Sequence, residues 1–367
     1  MDYRELVEYQ WPYLLSFLAV DEPLDESAKR YGALTRKRRV DSADKLLRLA
    51  LAYGFCGLSL RQTAAWAETS GIASLSDVAL LKRFQKASSW LGYLVAAKLA
   101  DRSGSRPQHP LQLVLVDAST ICAPGNTGTD WRIHLGFDLA AFRISDVKLT
   151  GVSGGETLKR YSVSPGDVVV ADRGYSRRPD LAAVTQKQGD FIVRLNWACV
   201  PLTDQSGESF DIVDAVRSIP EAAVCEFNLR LKPDPRRNVP ALPVRVVAVR
   251  KSEAAAADSR KKILKNASKK QTTPDPRTLE MAAYVVVITS LASNRLAAAD
   301  VLEIYRFRWQ VELVFKRLKS LLDLDGLPAK DPDLARTFIY SKVLAALLLD
   351  DFTHAFVSFS PWGFNIK

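Results

Sequence analysis

Cysteine and histidine are both scarce in this 367-residue sequence, which has four cysteines and three histidines. Cys56, Cys122, Cys199 and Cys225 are too few and too far apart for a disulfide framework, and no C-x-x-C pair indicates a structural zinc site. With so few thiols and imidazoles, any bound metal is expected to be a hard cation held by carboxylate oxygens. A reducing cytoplasm fits this composition best.

Long apolar runs are also missing from the sequence. No stretch approaches the ~20 consecutive apolar residues that a membrane span needs. The first ten residues contain several acidic side chains and no hydrophobic signal region. We therefore expect a chain that is neither exported nor inserted into a membrane.

What the sequence does have is an excess of positive charge. Lysine and arginine total 51 against 41 aspartates and glutamates, which leaves a formal charge of +10. This balance favours a polyanionic partner, because cationic side chains neutralise phosphates and release their counterions. The hydrophobic share of 47% and the charged share of 25% are typical of a globular chain long enough for two or three cores.

Apolar residues recur at three- and four-residue spacing through residues 1–105, which predicts an all-α N-terminal domain. Within it, residues 58–67, a Ser-Gly break at 70–71 and a second helix over 76–86 resemble a helix-turn-helix. The alternative is a pair of core helices whose basic residues only face solvent. The cations that this pair would offer to DNA are Arg61, Lys82, Arg83 and Lys86.

The pattern changes in residues 106–196, where short apolar runs typical of buried strands appear. Helices are expected near 155–161 and 179–188, which gives the order β-β-β-α-β-α-β. This order predicts an α/β fold with a mixed-sheet, ribonuclease-H-like core. The predicted strands are 111–117, 131–139, 142–150, 167–172 and 190–195.

The sequence pattern of residues 197–294 predicts a mostly β insertion. That of residues 295–367 predicts helices that complete the core. The insertion is interrupted at 251–277 by a basic segment, which is either a solvated helix or loop or a contact to a nucleic-acid backbone. The cations of this segment are Arg260, Lys261, Lys262, Lys265, Lys269 and Lys270.

Three carboxylates stand out against this background. Asp117 and Asp172 each end an apolar strand, and this is the edge at which open α/β sheets bind ligands, although either residue alone is equally typical of a turn or a helix cap. If the two strands are neighbours, a divalent cation would offset the repulsion between their carboxylates. Glu312 lies in a helix predicted over 297–324. At about 100° per residue, that helix presents Tyr305, Arg308, Glu312 and Lys319 on one face.

The spacing Tyr305-x2-Arg308-x3-Glu312-x6-Lys319 resembles the Y-R-E-K signature of the insertion-sequence-four group of DDE transposases. Residues 116–119 (Val-Asp-Ala-Ser) are similar to the strand that carries the family's first aspartate. Residues 171–175 (Ala-Asp-Arg-Gly-Tyr) are similar to its D-R-G-Y motif. The β-rich insertion before the third carboxylate also matches the family, so the resemblance covers most of the chain.

The resemblance implies that Asp117, Asp172 and Glu312 hold two Mg²⁺ ions, for which Mn²⁺ would substitute. It also implies that water frees the 3′ ends of a mobile element and that each 3′-hydroxyl then attacks target DNA. The expected partners are double-stranded DNA, as terminal inverted repeats and as target, and a second copy in an active homodimer. The implied DNA contacts near the carboxylates are Tyr305, Arg308, Lys319, Arg173 and Tyr175.

Two alternatives stay open at this point. One is a ribonuclease-H-like nuclease that cuts DNA without joining it. The other is a truncated, inactive transposase that binds DNA as a repressor, since 48 residues follow Lys319 where the family is expected to have a longer segment for subunit pairing.

Overall fold

A computed structural model of the chain describes residues 11–18, 20–104, 109–126, 130–313, 316 and 326–357. Within these ranges, helices precede and follow one ten-stranded sheet. None of the described helices is both long and apolar enough to cross a membrane. The main helices are α1 (Leu24–Arg30), α2 (Ala43–Gly54), α3 (Leu60–Thr69), α4 (Asp77–Gly104), α5 (Arg178–Gln186), α6 (Ile212–Val216), α7 (Glu253–Lys269), α8 (Pro276–Met281), α9 (Ala298–Arg306) and α10 (Pro332–Val357).

The sheet has the strand order β3-β2-β1-β4-β5-β10-β9-β8-β6-β7. β4 and β5 run parallel to β1, whereas β2 and β3 continue from β1 as antiparallel neighbours. These five strands form the predicted ribonuclease-H-like arrangement, so the predicted fold class is confirmed. The strands are β1 (Gln112–Ile121), β2 (Trp131–Asp138), β3 (Arg143–Gly151), β4 (Asp167–Ala171), β5 (Asp190–Arg194), β6 (Leu202–Thr203), β7 (Ser209–Phe210), β8 (Val224–Leu231), β9 (Leu242–Arg250) and β10 (Tyr284–Thr289).

Both faces of the central strands are buried, which explains their nearly continuous apolar sequences. Leu115 and Val170 belong to a core shared with the N-terminal helices and α10. Val116 and Val169 belong to a second core on the opposite face, under α5. The first of these faces is called the helical face below. Because its core joins the N-terminal helices to the C-terminal helix, the predicted boundary near residue 105 does not separate two independent cores.

The insertion at 197–294 extends the core sheet. β10 pairs with β5 and β9 pairs with β10, both antiparallel, so the later strands continue outward from the central parallel ones. Without β10, the backbone N–H and C=O groups on one edge of β5 would have no strand partner. Pairing with β10 supplies their hydrogen bonds. The strands of the insertion belong to the same sheet as the core, and the helices α6, α7 and α8 lie between them along the chain.

Two helix predictions need correction. Residues 155–161 form only a short 3₁₀ turn at Leu158–Arg160, which Thr157 caps. The glycines at 154 and 155 disfavour a longer helix there. The second helix of the predicted helix-turn-helix does not end at Lys86, because α4 continues to Gly104.

A buried arginine ties three elements together. Arg102, near the end of α4, is 2% exposed. It donates hydrogen bonds to the carbonyl oxygens of Ile144 in β3 at 3.1 Å and Leu347 in α10 at 2.7 Å, and to Oδ1 of Asp351 at 2.6 Å. This network fixes the N-terminal and C-terminal helices against the edge of the sheet.

Candidate catalytic site and nucleic-acid interface

The first two predicted aspartates lie side by side across neighbouring parallel strands. Paired residues of β1 and β4 are 55 positions apart, as in Leu115 and Val170, and the same 55 positions separate Asp117 from Asp172. Leu115 and Val170 pack on the helical face. Because side chains alternate along a strand, Asp117 and Asp172 are placed on that face too.

Local hydrogen bonds orient both carboxylates. Asp117 accepts a hydrogen bond of 2.8 Å from the backbone N–H of Ala118 through Oδ1. Asp172 accepts one of 2.7 Å from the N–H of Gly174 and thereby caps the short 3₁₀ turn at Arg173–Tyr175. These bonds reduce the freedom of the carboxylates before any ligand binds.

The carboxylates of Glu156 and Asp172 both approach Gly174. A Cβ atom at this position would lie 2.5 Å from Oε2 of Glu156 and 3.1 Å from Oδ1 of Asp172. Glu156 therefore brings a fourth carboxylate next to Asp172. No sequence motif marks Glu156, because only the chain path after β3 carries it there.

The helix that carries the third carboxylate is broken. α9 ends at Arg306, residues 307–308 form a turn, and residues 309–313 are helical again. The N–H of Arg308 donates to the carbonyl of Tyr305, and that of Val311 donates to the carbonyl of Arg308, so the backbone tightens to i→i−3 bonding. The prediction of one continuous helix through this segment is therefore wrong. Its aromatic residues favour the helix less than straight-chain side chains would.

Arg308 and Glu312, four positions apart, lie against each other. Nη2 of Arg308 donates a hydrogen bond of 2.7 Å to Oε1 of Glu312. The Arg308 side chain is 19% exposed and that of Glu312 is 46% exposed. Lys319, the last member of the predicted polar face, lies outside the described residues.

The pKa of Asp117 reflects its surroundings. This pKa is raised from 3.8 to about 6, chiefly by burial and also by the charges of Asp172 and Glu312, while the Ala118 N–H and Arg308 act in the opposite direction. Asp172 and Glu312 are thus both close enough to act on the carboxyl group of Asp117. Nevertheless, in the part of the chain that the structure describes, no three His, Cys, Asp or Glu side chains are gathered tightly enough to hold a metal ion.

Arg194 extends the row of charged residues. Paired residues of β4 and β5 are 22 positions apart, as in Val170 and Ile192, and 22 positions also separate Asp172 from Arg194. Asp117, Asp172 and Arg194 therefore occupy one level of the sheet on the helical face. Arg194 was not predicted as a site residue, although it carries the same signal as the aspartates, a polar side chain at the end of an apolar parallel strand.

A pocket of about 330 Å³ adjoins this row. Arg194 and Arg308 line it, together with Tyr305 and the half-exposed Trp309. Burial raises the pKa of Tyr305, and the nearby Arg308 and Arg194 oppose that shift. The pocket combines guanidinium groups with an exposed aromatic ring, a combination suited to a nucleotide phosphate and base.

The two residues that follow Asp172 in the D-R-G-Y motif have different environments. Arg173 is exposed beside the carboxylates. Tyr175 is fully buried, and its hydroxyl lies 3.0 Å from that of Tyr161. Tyr161 in turn donates a hydrogen bond to the carbonyl of Asp117. The expected DNA contact of Tyr175 needs correction, because the ring supports the strand of Asp117 from inside the core.

The predicted end-reading cations lie on the α3–α4 pair. A capping box of Ser59 and Gln62 begins α3. Arg61 is 90% exposed, and Lys82 and Lys86 are exposed on α4.

Arg83 differs from its neighbours on α4. It donates a hydrogen bond of 2.7 Å to the carbonyl of Arg36. It thereby holds the exposed basic run 36–39 (Arg-Lys-Arg-Arg) against α4. This run was not among the predicted DNA contacts, although its charge alone could have identified it.

Comparisons with known proteins show which family the chain belongs to. Residues 108–348 match the transposase DDE domain family. The putative transposase InsL for insertion sequence element IS186A of Escherichia coli K12 is 38% identical over 360 residues, 96% of each chain. The transposase for insertion sequence element IS421 of Escherichia coli is 38% identical over 361 residues, also 96% of each. A piggyBac transposase synaptic complex with hairpin DNA aligns at a TM-score of 0.48 with 9% identity, over 94% of this chain and 75% of that one, which is too distant to add to the argument.

Proposed function

Because this chain belongs to the DDE transposases of insertion sequences, enzymes that cleave DNA and transfer the cut strand, we propose that Asp117, Asp172 and Glu312 are its catalytic metal ligands. The observation that carries this assignment is the shared level of Asp117 and Asp172 on the helical face, with Glu312 near enough to raise the pKa of Asp117. Asp117 and Asp172 lie at the carboxyl ends of parallel strands, the edge at which open α/β sheets bind ligands.

The donor set fits hard divalent cations. All three side chains offer oxygen ligands, and ionised Asp117 is destabilised by burial and by its acidic neighbours, a situation that a cation relieves. The proposed cofactor is a pair of Mg²⁺ ions, with Mn²⁺ as substitute. When bound, two such ions activate the attacking oxygen and stabilise the leaving 3′-oxygen of a phosphodiester.

The surrounding cations position the DNA. Arg308 and Arg194 bind phosphate at the pocket, with Tyr305 beside them, and Arg173 binds phosphate next to Asp172. When a phosphate takes over the guanidinium of Arg308, the carboxylate of Glu312 is released to join the aspartates. Lys319 completes this set as the sequence signature implies.

The α3–α4 pair reads the element's ends. Lys82 and Lys86 follow the phosphates, and Arg61, whose side chain is 90% exposed, reaches toward base edges. Arg83 holds the 36–39 run in place and adds to the positive surface.

The partners follow from the chemistry. The terminal inverted repeats and the target are both duplex DNA, and two ends need two catalytic centres, so the active complex is a homodimer that works in the cytoplasm.

The test is incubation of the full chain with DNA carrying its own element ends and Mg²⁺, with nicks and joined products scored separately. Both products are expected. Nicks without joining would support a nuclease, and binding without either product would support a repressor.

A further inference from the structure

Helix α7 in the insertion has two unlike faces. Ala256 is 1% exposed, and Ile263 and Ala267 are partly buried on the same side. At about 100° per residue, the lysines of the second half project to the opposite side within an arc of roughly 100°. Together with Lys270, which follows the helix, they are called the α7 lysine face: Lys261, Lys262, Lys265, Lys269 and Lys270.

The α7 lysine face is exposed, and the one acidic residue on its side of α7 is Asp258, three positions before Lys261. All five of its lysines are exposed, and within the described ranges none of them pairs with an acidic side chain. Residues 259–270 contain no aspartate or glutamate. Some of these cations favour the helix by lying near its C-terminal dipole, yet this effect requires only one or two of them.

The helix is anchored firmly to the sheet. Lys251, between β9 and α7, donates hydrogen bonds of 2.8 Å to the carbonyl of Ala282 and 2.9 Å to Oγ of Ser259. One bond reaches the residues just before β10, and the other reaches α7 itself. The α7 lysine face is therefore presented on a fixed element.

The anchor point borders the pocket that Arg194 and Arg308 line beside the carboxylates. Val249, four residues before α7, lines the same pocket as Arg194, Tyr305 and Arg308. Burial lowers the pKa of Lys251, and the charges of Arg194 and Lys262 lower it further. Lys251 therefore lies near both Arg194 at the pocket and Lys262 on α7. Along α7, Lys261 to Lys269 span about 12 Å, a length over which duplex DNA carries about seven phosphate charges.

We propose that the α7 lysine face binds the phosphate backbone of duplex DNA that extends from the catalytic centre past Arg194. The inference rests on the proposed function, because it takes the DNA path from the catalytic pocket. Duplex DNA reaches this surface from one of two sources, the element end or the target.

The experiment neutralises three cations in the full chain. Lys262→Gln, Lys265→Gln and Lys269→Gln are combined, since glutamine keeps helix propensity. A matched control removes three exposed cations elsewhere, by Lys159→Gln, Lys232→Gln and Arg236→Gln. Affinity for duplex DNA with and without element ends is measured across salt concentrations, with circular dichroism as a check on folding.

The α7 variant is expected to bind DNA about tenfold or more weakly at low salt. Its slope of log affinity against log salt should flatten by about 0.9 for each phosphate that the variant no longer neutralises. The control should leave both quantities near those of the wild type. Weaker binding of element ends identifies the end as the source, and normal end cleavage with reduced joining identifies the target.

Unchanged affinity and slope on both DNAs, in a variant that folds, would overturn the inference. Cleavage by the unmodified chain is scored in the same preparation. If the proposed function is wrong, the unmodified chain will not cleave the DNA. If only this inference is wrong, the unmodified chain will cleave the DNA and the α7 variant will bind DNA as the wild type does.

Discussion

Arg308 and Glu312 form an ion pair, in which Nη2 of the guanidinium donates a hydrogen bond of 2.7 Å to Oε1 of the carboxylate. The same guanidinium lowers the pKa of Asp117. Arg308 therefore supplies positive charge among carboxylates that would otherwise repel one another.

Removing this charge should favour metal binding in the absence of DNA. Arg308→Gln is expected to lower the dissociation constant for Mn²⁺ by up to about fivefold, because an ion pair with a half-exposed partner contributes about 1 kcal/mol at most. Isothermal titration calorimetry measures the constant. Arg306→Gln, next to the pocket but without the Glu312 bond, is the control. Weaker Mn²⁺ binding by Arg308→Gln than by the wild type would contradict this role.

Stability should depend on pH through Asp117. Its pKa is about 6 in the folded chain against an ordinary 3.8, so the folded state favours the protonated form and loses stability as pH rises through 6. Asp117→Asn should therefore melt at a higher temperature than the wild type at pH 7.5 without metal, and the gap should shrink toward pH 4.5. Thermal denaturation measures the gap, with exposed Asp300→Asn as control. A difference in melting temperature that does not change with pH would exclude the titration of Asp117 as its cause.

Arg102 should be among the residues most important for stability. Arg102→Met removes the donor to the buried carbonyls of Ile144 and Leu347 and leaves Asp351 with Lys98 as its remaining cation, which is expected to cost about 3–5 kcal/mol of unfolding free energy. The exposed pair of Arg217 with Glu280 provides the control, because Arg217→Met should cost much less than Arg102→Met. Urea denaturation compares the two. Equal effects would show that burial of the network is unimportant.

The α3–α4 cations should divide by role in the full chain. Lys82→Gln and Lys86→Gln are expected to weaken binding of all DNA, and each should flatten the salt slope by about one unit, because each removes a cation from a phosphate. Arg61→Gln should instead reduce the preference for element ends over random DNA. Competition binding with both DNAs measures this. If none of the three variants changes either quantity, end recognition lies outside this helix pair.

Much of the site follows from sequence because strand ends are marked locally. Asp117 and Asp172 each end an apolar run, and the Y-R-E-K spacing adds Arg308 and Glu312. Their shared level in the sheet depends on the pairing of β1 with β4, which no local pattern encodes. Arg194 was not predicted for the same reason, since its importance emerges only when β5 is placed beside β4.

Other differences between the predictions and the structure have physical causes that the sequence pattern does not show. The D-R-G-Y motif gives the identity of Tyr175 and not the side on which its ring packs, which the Tyr161 hydroxyl helps to decide. Glycines 154 and 155 outweighed the weak helical pattern of 155–161. The sequence predicts strands in the insertion. It does not specify that β10 pairs with β5, because this pairing joins segments that are far apart along the chain.

The most direct test of the central claim is strand cleavage at the element ends by Asp172→Ala in Mg²⁺, with end binding measured in parallel. Cleavage should be abolished while binding stays near that of the wild type, because binding depends on many cationic contacts and the chemistry on the metal ligands. Asp300→Ala, an exposed aspartate at the start of α9, should cleave normally. Undiminished cleavage by Asp172→Ala would remove this carboxylate from the mechanism and contradict the proposed metal site.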